Sequence, residues 1–187
     1  MSKSFTPHAS KVAIAAVLIA VAACTAKYDW REIHGATTPY TIMLPAKPAT
    51  HSRSVNLDGT QVTMVMTAAE VDGAVFAIGT AELADAAQAQ AALLAMKTAM
   101  VKNIDGRITR ERTSANAQAS ASTTGTYQGT AIDLEAVSAQ AGNGPSQLLV
   151  ARFVAQDRKV YQAIVVGPEK KISREAVDTF FSSFKTN

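Results

Sequence analysis

The chain has 187 residues, with 18 Lys or Arg against 15 Asp or Glu and a single cysteine. That length suits one domain with short extras, and one cysteine excludes an internal disulfide, so the fold must stand on its core. The pI is near 9.1, but no basic stripe interleaved with aromatic residues accompanies it, which argues against a nucleic-acid partner.

Residues 1–23 read as a processing segment. Lys3 and Lys11 form a basic start, Val12 to Ala20 is an unbroken apolar run, and Val21-Ala22-Ala23 leads to Cys24. The apolar stretch is shorter than the roughly 20 residues of a spanning helix and suits the core of a secretory signal. Val21-Ala22-Ala23-Cys24 resembles the bacterial lipobox, an aliphatic residue and two small ones before an obligatory cysteine. The resemblance implies that the Cys24 thiol takes a diacylglycerol, that the signal is cut before it, and that the new amine is acylated, with palmitate a typical fatty acid. Two or three chains hold a protein durably, at roughly 0.8 kcal/mol per buried CH2, where one holds it marginally. The competing reading is an ordinary secretory signal cut after Ala23 or Ala26, with Cys24 incidental. Thr25 stands where an Asp would resemble an inner-membrane retention signal. The expected location is therefore the cell envelope, on the outer membrane facing the periplasm. Processing leaves 16 basic and 15 acidic residues, a net charge of +1.

A tether over 24–29 is expected to lead into one domain over 30–187. Trp30 to Ile33 reads as a short strand and Gly35 to Pro39 as a turn. Tyr40 to Leu44 is a strand closed by Pro45 and Pro48, which cannot donate to a ladder. Ser52 to Leu57 and Thr60 to Ala69 flank Asp58-Gly59, a strong hairpin signal; Val62, Met64 and Met66 alternate with polar residues in the second. Asp72-Gly73 is another hairpin turn, leading into a strand over Ala74 to Glu82. The period then changes. Asp85 followed by Gln88 has the pattern of a capping box, and Ala86, Ala89, Leu93, Met96, Met100 and Ile104 recur at helical spacing, giving a helix of about 18 residues ended by Asp105-Gly106. Arg107 to Arg112 reads as a strand. Thr113 to Gly125, crowded with Ser, Thr and Ala, reads as a loose loop. Tyr127 to Ala139 alternates, with Ile132, Leu134 and Ala136 opposed to Asp133, Glu135 and Val137. After a turn at Gly142 to Pro145, Gln147 to Ala155 and Lys159 to Val166 form a hairpin about Gln156-Asp157-Arg158, stopped by Gly167-Pro168. Ser173 caps a last helix that sends Ala176, Val177, Phe180, Phe181 and Phe184 to the core. Strands, helix, strands, helix with short hairpin links predict an α+β fold, a mainly antiparallel sheet flanked by helices.

Several of these segments resemble the PsbP-like superfamily. Tyr40-Thr41-Ile42-Met43-Leu44-Pro45 with Pro48 is similar to its opening strand, residues 74–104 to its strand-then-helix step, Arg152-Phe153 and Val160-Tyr161 to its paired late strands, and Phe180-Phe181-Ser182-Ser183-Phe184 to its terminal helix. The resemblance implies an α-β-α sandwich over about residues 28 to 185 and carries over no catalytic residue.

Chemistry-bearing groups are sparse. His34 and His51 lie 17 residues apart, too few ligands for zinc, and read as exposed loop histidines. Asp133 and Glu135, two apart on a strand, share a face and could divide acid and base roles or simply face solvent. Lys102, Arg107, Arg110 and Arg112 form a basic run able to touch anionic lipid head groups, diluted by Asp105 and Glu111. Met64, Met66, Met96 and Met100 fit core packing better than soft-metal binding. There is no Gly-x-Ser-x-Gly, no phosphate-binding glycine loop and no cofactor motif. The sequence therefore points to a non-enzymatic binding or assembly module, tethered to the membrane through Cys24, for a protein partner or small apolar ligand. The rival reading is an envelope hydrolase or metal-dependent enzyme using His34 or His51 with Asp133 and Glu135; a third is a structural lipoprotein without a specific ligand.

Overall fold

The computed structural model describes residues 27–114, 129–138 and 144–186. The signal segment, Cys24, all but Thr113 and Ser114 of the expected loop, and Gly142 and Asn143 of the expected turn lie outside them.

Hairpin chemistry sets the strand order. Asp58 and Gly59 take φ of 51° and 83°, and Asp72 and Gly73 take 55° and 81°, the paired positive values that two-residue hairpins demand. They join β3 (Ala49–Leu57), β4 (Thr60–Val71) and β5 (Ala74–Glu82). Asp157, at φ 52°, turns β8 (Gln147–Gln156) into β9 (Lys159–Pro168). Between these hairpins lie α1 (Ala86–Asn103), β6 (Gly106–Ser114) and β7 (Thr130–Ser138). The Asp85 carboxylate accepts from the Gln88 amide at 2.8 Å and caps α1. Ser173 caps α2 (Arg174–Ser183) by accepting from Ala176. β1 (Arg31–His34), β2 (Tyr40–Leu44), a single 3-10 turn (Glu169–Lys171) and a two-residue β10 (Lys185–Thr186) complete the described elements.

Seven strands form one sheet in the order β3-β4-β5-β9-β8-β7-β6, and β1-β2-β10 form a second. Every pairing is antiparallel, so the fold is α+β with antiparallel sheets. Helix α1 covers one face of the large sheet, where Ala89, Ala92, Leu93 and Met96 meet Met64, Ile132, Leu134, Phe153 and Ile164. Helix α2 and β2 cover the other, where Phe180, Phe181, Phe184, Ile42 and Leu44 meet Phe76, Ile78, Tyr161 and Val165. Buried on both faces, β5, β8 and β9 read as nearly continuous apolar runs. β7 alternates instead, because its α2-side residues include carboxylates.

Some bounds differ from expectation. β3 begins at Ala49 rather than Ser52, because its polar residues pair with β4 along their whole length. Gly167-Pro168 does not stop β9: Pro168 pairs with Gln147 as the last residue of the strand. Ala86 stays exposed in the first turn of α1, and Ala92 is buried in its place. Lys27, Tyr28 and Asp29, read as tether, rest on the domain: Lys27 pairs with Asp72 at 3.0 Å, Tyr28 stacks near Trp30 at 5.6 Å, and the Asp29 amide donates to the Pro45 carbonyl.

Candidate functional site: an arginine-lined cleft

Strand β7 positions the site. Ile132, Leu134 and Ala136 pack toward α1, so the alternation of the strand turns Asp133 and Glu135 toward α2. Cross-strand register then surrounds them with arginine. Asp133 lies between Arg112 on β6 and Arg152 on β8, and Glu135 lies between Arg110 and Val150. From α2, Arg174, Val177, Asp178 and Phe181 close the far wall, giving a cleft of about 250 Å3.

A β-bulge aims the arginines. In a regular strand Arg107 and Arg110, three residues apart, would point to opposite faces. The register shifts between Ile108 and Arg110, leaving Thr109 as the extra residue, and the Thr109 hydroxyl donates to the Glu135 carbonyl at 3.2 Å. Arg107, Arg110 and Arg112 consequently stand opposite Val137, Glu135 and Asp133 on the α2 side. Ile108 and Glu111 take the other face, where Glu111 accepts from Lys97 of α1 at 2.9 Å.

Each carboxylate is held by a guanidinium fork. Arg152 is only 4% exposed. Its Nε and Nη2 donate to the two Asp133 oxygens at 2.6 and 3.3 Å, and its guanidinium lies 5.6 Å from the Phe181 ring centre. A charge so deeply buried requires such a partner. Arg174 donates to both Glu135 oxygens at 2.9 and 3.0 Å. That hydrogen bonding holds the Glu135 carboxyl below its usual range, against the opposing push of burial, and the positive charges of Arg174 and Arg110 add to the lowering. A general acid near neutrality needs the reverse shift.

The histidines do not join this cleft. His34 is exposed on β1, its Nδ1 3.2 Å from the Thr41 hydroxyl and its Nε2 3.2 Å from Glu32. His51 is exposed on β3, the opposite edge strand of the large sheet. Five strand spacings separate β3 from β7, roughly 24 Å at about 4.8 Å each. Both histidines lie on strands rather than in loops, and the expected grouping of His34 or His51 with Asp133 and Glu135 is not assembled. Among the described residues no three His, Cys, Asp or Glu converge to hold a metal ion, and no helix is long and apolar enough to cross a membrane.

The expected basic run divides. Lys102 sits exposed in the last turn of α1, Arg107 lies beside the cleft, and Arg110 and Arg112 line it. Met64 of β4 and Met96 of α1 are buried between the helix and the sheet, with Met66 and Met100 packed against the same cluster, as core packing requires. Arg152, Arg174, Asp178 and Phe181 carried no functional reading in the sequence. One signal for Arg152 was present: a lone charge inside the apolar run Leu148 to Ala155, which demands a buried partner. No protein-family model and no curated protein matches the chain.

Proposed function

We propose that this chain is an envelope lipoprotein whose domain, a PsbP-like α-β-α sandwich, acts as a non-enzymatic binding module at the arginine-lined cleft. Cys24 anchors it by lipid to the outer membrane, on the periplasmic side. The observation that carries the binding role is the engagement of both cleft carboxylates by guanidinium forks. Held in that way they serve as struts for arginines rather than as acid and base. The histidines that an enzyme would recruit stand elsewhere. Large exposed apolar side chains among the described residues are Leu94 and Ile108 alone, and the cleft lining is rich in charge, which favours an anionic partner over an apolar ligand. Helix α1 on one face and α2 on the other give the layering a PsbP-like sandwich implies.

Two measurements test this. Cells fed a labelled palmitate should label the wild-type chain and not Cys24→Ala; an unlabelled, fully soluble wild-type product refutes the anchor. A photo-crosslinking residue in place of Asp178, at the cleft, should capture a partner that the same residue in place of Arg53, on β3, does not. Equal capture at both positions refutes the cleft as the binding site.

A further inference from the structure

The cleft holds four arginines and three carboxylates, and their pairing is uneven. Arg152 is committed to Asp133 and Arg174 to Glu135, each through two hydrogen bonds. Arg110 and Arg112 are exposed, and among the described residues neither forms a salt bridge. They lie two apart on one face of β6, roughly 7 Å along the strand, with Glu135 and Asp133 as their cross-strand neighbours. The third carboxylate, Asp178, is exposed on α2 across the cleft.

From this arrangement we infer that the cleft seats a single phosphate group between the guanidiniums of Arg110 and Arg112. The inference rests on the reading of the cleft as the binding site and names its ligand. Three features select the chemistry. A carboxylate has two oxygens and is satisfied by one guanidinium fork, as Asp133 and Glu135 are here. A phosphomonoester offers three acceptor oxygens and a charge of about −1.5 to −2, enough for two forks. Size disfavours larger ligands: the whole cleft, at about 250 Å3, falls below the roughly 300–1,000 Å3 of sites for drug-sized ligands. The apolar walls of Val150, Val177 and Phe181 lower the local dielectric and strengthen each contact, while Asp178 repels a second negative group and so disfavours an extended polyanion. Inorganic phosphate and the phosphomonoester head group of a lipid present this same chemistry.

The test uses the full chain with Arg110→Gln/Arg112→Gln and a charge-matched control, Lys47→Gln/Arg53→Gln, with Arg53 on β3, the edge strand opposite β6, and Lys47 two residues before that strand. Titration with inorganic phosphate reads the free ion. Flotation with phosphatidylcholine vesicles, with and without phosphatidic acid, reads the head group. Binding in either arm should weaken at least about tenfold (~1.4 kcal/mol) in the cleft variant and less than about twofold in the control. A response in the phosphate titration assigns the free ion; a response in the vesicles alone assigns the lipid. Equal loss in both variants reduces the effect to net charge and overturns the site. Equal competition by acetate overturns the selection of phosphate. No binding in either arm overturns the phosphate seat as well. If capture by the crosslinker at position 178 then persists and is lost in the cleft variant, the binding module stands without it. All four replaced side chains are on exposed strands or loops, and matching circular dichroism and melting temperature confirm that the variants fold.

Discussion

The Arg152–Asp133 pair supports an unequal double-mutant cycle. Asp133→Ala removes the two hydrogen bonds that Asp133 accepts from the deeply buried Arg152 guanidinium and leaves Arg112 facing it across the vacated strand position. Breaking a buried pair from the side that strands the buried charge costs about 3–5 kcal/mol. Arg152→Met is gentler: the aliphatic replacement still covers Phe181, and Asp133, 35% exposed at its side chain, rehydrates and keeps Arg112 opposite, for a cost of about 2 kcal/mol. The double variant removes both charges and approaches the wild type to within ~1 kcal/mol. Urea unfolding, with a slope of about 1–3 kcal/mol/M for a domain of this size, should therefore move the midpoint down by about 2 M for Asp133→Ala and about 1 M for Arg152→Met, and restore most of it in the double variant. Single costs that add to within about 0.5 kcal/mol in the double variant, or a costlier Arg152→Met, would refute the assignment of Asp133 as the buried arginine's counter-ion.

Three more predictions follow from named groups. Burial, helped by Asp157, pushes the Tyr161 phenol up to about 12 from about 10; the fully buried side chain donates to the Pro39 carbonyl at 3.2 Å. A raised folded-state value contributes stability that is complete below the unfolded value and lost as pH rises from about 10 to 12, ~2–3 kcal/mol in all. Alkaline unfolding curves should show that loss in the wild type and not in Tyr161→Phe; parallel losses would contradict it. The Arg174 hydrogen bonds depress Glu135, so its contribution is present above the unfolded value near ~4.3 and disappears as pH falls through the lower folded one. Melting temperatures between pH 5 and 3 should fall less steeply for Glu135→Gln than for wild type. Gly129 takes φ +101°, and a Cβ there would stand 2.2 Å from the Ala155 carbonyl oxygen. Gly129→Ala should cost about 1–3 kcal/mol and exceed Gly59→Ala, where φ is also positive but nothing lies within 4 Å; calorimetry ranking them in the opposite order would refute the steric account.

Local chemistry made much of the fold readable. Asp58-Gly59 and Asp72-Gly73 turn where their backbone preferences say, and Asp85 and Ser173 cap the helices they precede. What stayed hidden depends on tertiary pairing. Nothing in Lys185-Thr186 signals that two residues will add a strand beside β2. The cleft draws Arg112, Asp133, Arg152 and Arg174 from β6, β7, β8 and α2, and only the strand register makes them neighbours. Asp133 and Glu135 were legible as sharing one face, but their guanidinium partners were not. The bulge at Thr109 is the clearest case: one unpaired residue decides where Arg107 points relative to Arg110, and no turn residue announces it.

The small sheet ties an early described segment to one far along the sequence. β2 receives β10 along its side, the Met43 amide donates to the Ser183 hydroxyl across 140 positions of sequence, and Phe180 and Phe184 fill the space above Ile42 and Leu44. β2 therefore cannot complete its layer until a segment about 140 positions further along the chain has joined it. A chain lacking α2 and β10 would hold this layer open, and loss of residues 176–186 would strip its lid. Closure of the small sheet is thus a long-range event: the layer seals only when two segments far apart in sequence have met.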